Sequence, residues 1–146
     1  MPKVAIIIGS DSDKELSDTA ASMLREFGVE YEQRTLSAHR NIRSLAQFVE
    51  DTDVQVFICI AGLAAALPGV VAAQTTKPVI GVPKDVKLGG IDALLSIVQM
   101  PTGVPVATVA IDGAKNAALL AVEILAIADK QLNERLQEYR RKRAAS

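Results

Sequence analysis

A chain of 146 residues, 49% hydrophobic and 23% charged, is long enough to bury a substantial core and is expected to form a single domain over residues 1–146. Aromatic residues make up only 3% and tryptophan is absent, so the interior must be built from Ala, Val, Ile and Leu. A formal net charge of −1 and a sequence pI of about 5.8 leave no global basic field for nucleic acid, and the single cysteine excludes an intramolecular disulfide framework.

The run from Lys3 to Gly9 (KVAIIIG) is continuously apolar, as in a strand covered on both faces. Ser10-Asp11-Ser12-Asp13 follows at once, so no signal peptide is expected, and a cytoplasmic setting fits. The same four residues suit a helix start, and Gly28 suits its stop after about Phe27. Residues 29–36 (VEYEQRTL) read as a second strand ending at Ser37-Ala38-His39-Arg40, and 41–51 (NIRSLAQFVED) as a second helix. A third strand, 54–62 (VQVFICIAG), contains Cys59 as a buried small hydrophobe, and a small-residue helix is expected over 63–74 (LAAALPGVVAAQ). A fourth strand is expected at 77–83 (KPVIGVP), then a loop at 84–90, a helix at 91–99 and a fifth strand at 104–111 (VPVATVAI). Two helices, 114–129 and 130–143, complete the chain.

Two uncharged stretches, 56–73 and 93–111, approach the length of a membrane span, but glycines and prolines divide each into strand and helix pieces. No membrane partner is expected. Nor is nucleic acid, because the basic cluster Arg140-Arg141-Lys142-Arg143 reads as a solvated helix end. Alternating strands and helices argue for a parallel sheet covered on both faces. From Ala114 to Ala128 the only polar residues are Lys115, Asn116 and Glu123. A helix apolar nearly all round needs cover on nearly all sides, so a homo-oligomer is expected. Leu132, Leu136 and Tyr139 form a stripe that suits either a subunit contact or the chain's own core.

In such a sheet, ligands bind beyond the carboxyl ends of the strands. The chemistry-bearing residues collect there, in loops Gly9–Asp13, Ser37–Arg40 and Ala61–Gly69. Ser10 and Ser12, with helix amides, can hold a phosphate. Asp13 would repel that phosphate and suits sugar hydroxyls. Arg40 can grip phosphate with paired hydrogen bonds, and Gly62 lets backbone approach a flat ligand. His39, the only histidine, is the one group there suited to proton exchange near neutrality. Each feature has a plainer reading: a helix cap, a solvated arginine, turn glycines. Walker A, G-x-G-x-x-G, zinc-ligand and nucleophile-elbow patterns are absent. Physics alone reaches a site for a phosphorylated small molecule with a histidine acid/base.

Taken together and in this order, GSDSD, SAHR, AG…LPGVVAA, PVIGVP, DALLSIVQMPTGVPVATVAI and NAALLA resemble the N5-carboxyaminoimidazole ribonucleotide mutase (PurE) family and its relative, aminoimidazole ribonucleotide carboxylase. The resemblance spans nearly the whole chain. It implies a flavodoxin-like three-layer sandwich, a parallel sheet of about five strands with a C-terminal helical extension, and a homo-octamer. It implies that His39 is the general acid/base and that Ser10, Asp13, Ser37 and Arg40 bind the ribose phosphate portion. Ala38, Ala61, Gly62 and Leu67 complete the implied ribonucleotide site. No metal or other cofactor is expected.

The chain departs from the mutase pattern in three places. GLAAALPG, with Leu63 and Ala66, stands where GGAAHLPG is usual; Asn41-Ile42 replaces Thr-Pro; and Lys84 follows GVP where a small apolar residue is usual. Three functions therefore stand: the mutase reaction, direct carboxylation of aminoimidazole ribonucleotide by carbon dioxide, and a non-catalytic nucleotide-binding or assembly protein.

Overall fold

Alternate residues of the first strand serve two different cores. The computed structural model describes residues 1–146, and in it β1 (Val4–Ile8) is buried throughout. Val4, Ile6 and Ile8 face a layer formed with α1 (Lys14–Glu26), α5 (Ala114–Ala126) and α6 (Lys130–Ala145). Ala5 and Ile7 face the opposite layer, formed with α2 (Ile42–Asp51), α3 (Leu67–Ala72) and α4 (Ile91–Val98). The two-residue period of a strand makes this division, and each fully buried Ile contributes roughly 1.5–3 kcal/mol. β3 (Val56–Gly62) divides in the same way, sending Val56, Ile58 and Ile60 to the first core and Phe57 and Cys59 to the second. Cys59 is fully buried, and that burial pushes its thiol pKa up, as suits an inert core residue.

The five strands are all parallel, in the order β2-β1-β3-β4-β5, which is the flavodoxin-like order. β2 (Tyr31–Thr35) lies at one edge, with an exposed carboxyl half. β4 (Val79–Lys84) pairs with β3 from Phe57↔Val79 to Gly62↔Lys84. At the other edge β5 is only Ala107–Thr108, much shorter than the expected 104–111. Val104 is tied into a turn by its bond to the Pro101 carbonyl, and Pro105 has no N–H to offer a ladder. Past Val109 the chain leaves the sheet, and Asp112 N–H donates to the Pro83 carbonyl at 2.7 Å.

Gly28 ends α1 with φ +69° in a Schellman arrangement: Gly28 N–H donates to Arg25 carbonyl at 2.9 Å and Val29 N–H to Leu24 carbonyl at 3.0 Å. Ser10 and Ser12, in contrast, make no side-chain cap to the 3-10 turn Asp11–Asp13 or to α1, so the helix-cap reading of SDSD does not hold. The helix expected from residue 63 also begins later, at Leu67. Leu63 takes a left-handed conformation (φ +57°), which breaks any helix running through it.

The apolar α5 finds most of its cover within the chain. Ala114, Ala117, Ala118, Ala121, Val122, Leu125 and Ala126 are buried against the sheet, α1 and α6. The tail stripe is core-facing: Leu132 and Leu136 are buried, and the Tyr139 ring packs 5.4 Å from that of Phe27. Arg135 Nη1 also donates to the Phe27 carbonyl, fastening α6 to the end of α1. The exposed apolar stripe lies instead on α4, where Ile91, Leu95 and Val98 are each about half exposed. No helix is long and apolar enough to cross a membrane; 56–73 is divided between β3 and α3, and 93–111 includes α4 and β5.

Candidate active site

The carboxyl ends of β1 and β3 and the loop after β2 meet at one cavity of about 450 Å³. Its lining includes Ser10, Ser12, Asp13, Ser37, Ala38, His39, Arg40, Ala61, Gly62 and Leu67, so every candidate named from the sequence lies at this one cavity. Parallel strands explain this: each carboxyl end points the same way, and residues distant in sequence share one rim.

In the first loop, Ser10 Oγ and Ser12 Oγ are hydrogen-bonded to one another at 2.6 Å. Freed from capping, both hydroxyls stand beside the cavity. Asp13 is only 7% exposed and its Oδ1 lies 3.2 Å from Lys84 Nζ. Lys84 also donates to the Ser12 carbonyl. A carboxylate this far from water needs such a partner.

The second loop is built around Ser37. Its Oγ accepts from the backbone N–H groups of His39 at 3.2 Å and Arg40 at 3.1 Å. That bonding leaves the Ser37 hydroxyl proton available to donate. Asn41, just before α2, closes the turn by accepting the Ser37 N–H on Oδ1 at 3.1 Å. Arg40 Nη2 donates to the Gly9 carbonyl at 3.1 Å, which leaves further guanidinium donors for an anion. His39 is exposed at the cavity, and its ring makes no hydrogen bond within the chain.

The third loop supplies an apolar wall from Leu63, Ala64, Ala65 and Ala66. A Cβ added to Gly62 would lie 2.6 Å from Val86 Cγ2, so any larger residue where β3 passes beneath that side chain would have to displace it. Val86 lines the cavity although its sequence context gave no sign of it. Asn41, which the sequence marks as a helix start and as a departure from the mutase pattern, also shapes the site; its spacing of four from Ser37 is the signal for that role. Among the charged side chains lining the cavity, Asp13 is the anion and is answered by Lys84, leaving Arg40 for the ligand. No group of His, Cys, Asp and Glu residues is placed to hold a metal ion.

Comparison with known proteins gives a consistent result. The family described as AIR carboxylase matches residues 3–146. The N5-carboxyaminoimidazole ribonucleotide mutase of Methanocaldococcus jannaschii is 57% identical over 139 residues, covering 95% of this chain and 88% of that protein. The mutase of Pyrococcus abyssi is 56% identical over 144 residues, covering 96% of this chain and 83% of that one. The crystal structure of Treponema denticola PurE superimposes with a TM-score of 0.91 at 33% identity, covering 99% of this chain and 93% of that one.

Proposed function

The chain belongs to the AIR carboxylase family, and on that premise we propose that it converts N5-carboxyaminoimidazole ribonucleotide to 4-carboxy-5-aminoimidazole ribonucleotide, a step of purine biosynthesis. The observation that carries the reading is the convergence of His39, Arg40, the Ser10–Ser12 pair and Asp13 on one cavity, in a chain 57% identical to a mutase.

Arg40, Ser10 and Ser37 bind the phosphate end of the ribonucleotide, and Asp13 accepts from ribose hydroxyls. That places the imidazole ring of the substrate against His39 and the alanine wall. Protonated His39 gives its proton to the carbamate nitrogen. The nitrogen–carbon bond breaks and releases carbon dioxide beside the amine. Carbon 4 of the ring, made electron-rich by that amine, attacks the carbon dioxide and forms the new carbon–carbon bond. The proton now surplus on carbon 4 passes to neutral His39, restoring its acid form. One histidine serves both steps, with no net proton consumed. Holding the gas in place keeps the second step effectively unimolecular. Ala64, Ala65 and Ala66 suit an uncharged molecule at that point.

The same apolar wall supports a second reading. Leu63 and Ala66 offer no hydrogen bond to a migrating carboxylate, and a pocket of this kind also suits direct carboxylation by free carbon dioxide. Separate supply of the two substrates tests both. Product from the carbamate substrate while free carbon dioxide is stripped supports transfer within the cavity. Product only from aminoimidazole ribonucleotide plus carbon dioxide overturns the mutase assignment.

We further place the enzyme in the cytoplasm and assign it a homo-oligomeric state, an octamer by family resemblance. The support is the exposed α4 stripe of Ile91, Leu95 and Val98, spaced to fall on one helix face.

A further inference from the structure

Lys84 ends β4 in register with Gly62 of β3, and β3 lies between β4 and β1. To reach the loop after β1, the Lys84 side chain must cross the end of β3. There its Nζ sits 3.2 Å from Asp13 Oδ1 and donates to the Ser12 carbonyl. The crossing lies over a residue without a side chain: a Cβ on Gly62 would sit 3.6 Å from Lys84 Cβ and clash with Val86. The Asp13 side chain is 9% exposed and that of Lys84 is 21% exposed, so water screens this pair poorly. Lys84 itself does not line the cavity, whereas Asp13 and Ser12 do.

We propose that Lys84 is a positioning residue for ligand binding: it neutralises Asp13 and pins the Ser10–Asp13 loop. That loop then presents its hydroxyls and the other Asp13 oxygen to a sugar phosphate. The inference rests on the binding roles given above to Ser10 and Asp13. Without the ammonium, a largely buried carboxylate would face an incoming phosphate uncompensated, and repulsion would oppose binding. The proton transfers belong to His39 on the neighbouring loop and are not touched by Lys84. Binding should therefore suffer and chemistry should not.

The test is Lys84→Met, which keeps an unbranched stem and removes the charge, with Lys84→Gln as a second variant. We expect a folded protein whose kcat stays within about twofold of the parent and whose KM rises about tenfold, with a parallel loss of affinity for ribose 5-phosphate by calorimetry. In an Asp13→Asn background the same change should move ribose 5-phosphate affinity by less than about twofold, because the carboxylate that Lys84 answers has gone. Unchanged affinity in a folded Lys84 variant overturns the inference, as does a full tenfold loss persisting beside Asp13→Asn. Failure of both variants to fold also overturns it, by making Lys84 a stability element. Should the unmodified chain turn over neither substrate, the assigned reaction falls, while the ribose 5-phosphate titrations still decide the role of Lys84.

Discussion

Ser37 and Asn41 hold each other twice across the SAHR turn. Asn41 N–H donates to the Ser37 carbonyl at 2.9 Å, and Ser37 N–H donates to Asn41 Oδ1 at 3.1 Å. With Ser37 Oγ receiving the N–H groups of His39 and Arg40, the turn is set by its own bonds before any ligand arrives. Asn41→Ala strips the acceptor from the N–H of a residue only 5% exposed. We expect a stability loss of about 1 kcal/mol and a fall in kcat larger than the rise in KM, because placement of the imidazole suffers most. Thermal melts and steady-state kinetics check this; an unchanged kcat would mean that Ser37 Oγ and the Asn41 N–H bond to the Ser37 carbonyl hold the turn without the amide side chain.

His39→Asn should leave folding and ribose 5-phosphate binding intact, since the ring is exposed and makes no hydrogen bond within the chain. Turnover should fall by at least about a hundredfold. Near-normal turnover in a folded variant would remove His39 from both proton steps.

Arg40→Ala loses an anion donor and the tie to the Gly9 carbonyl. The expected weakening of ribose 5-phosphate binding is roughly 1.5–3 kcal/mol, against about 0.5–1.5 kcal/mol for Ser10→Ala. Calorimetry showing equal affinity for both variants and the parent would move the phosphate elsewhere.

Leu63 is held at φ +57° and is 49% exposed, so it bears left-handed strain and gains little burial in return. Leu63→Gly should relieve that strain and raise stability by up to about 1 kcal/mol, the gain being trimmed by the greater entropy glycine loses on folding. A lower melting temperature would show that the leucine side chain contributes more to stability than its backbone costs.

Leu95→Arg places a charge in the middle of the exposed α4 stripe, at a residue 51% exposed within the single chain. The parent should run as a large homo-oligomer in light scattering, and the variant as a smaller species with the same circular dichroism. A stable monomeric parent at micromolar concentration would contradict the assembly itself.

Much of the fold was legible because β1 and β3 are unbroken apolar runs ending in loops of unusual composition. Alternation of strand and helix then left few topologies, and it brought the GSDSD, SAHR and Ala61–Gly69 loops to one rim. What failed to read correctly depended on backbone detail. Alanine-rich 63–66 has good helix propensity, yet the left-handed Leu63 starts α3 only at Leu67. Val104–Ile111 has strand composition, but Pro105 and the turn at Pro101 leave a two-residue ladder. The helix-cap reading of SDSD weighed the serines only against α1. It could not foresee that they would bond each other, or that Lys84, distant in sequence, would take Asp13. Most of the apolar face of α5 is covered by the chain's own sheet, α1 and α6, a choice of cover that sequence periodicity cannot make between the chain's own helices and another chain's.

Arg135 bonds a carbonyl 108 residues earlier in the chain, and the Tyr139 ring packs tilted against the same residue, Phe27. The order of synthesis therefore matters. An all-parallel sheet contains no hairpin from which pairing can spread, so every ladder here first closes a loop through a crossover. Such distant contacts slow folding, and the entropy of closing them is lost before the contacts repay it. The helix that finishes the α1 side of the core is made after every other element of that core. Until it docks, Phe27 stays uncovered on that side, and a nascent chain halted before Lys130 can join its neighbours there instead of itself.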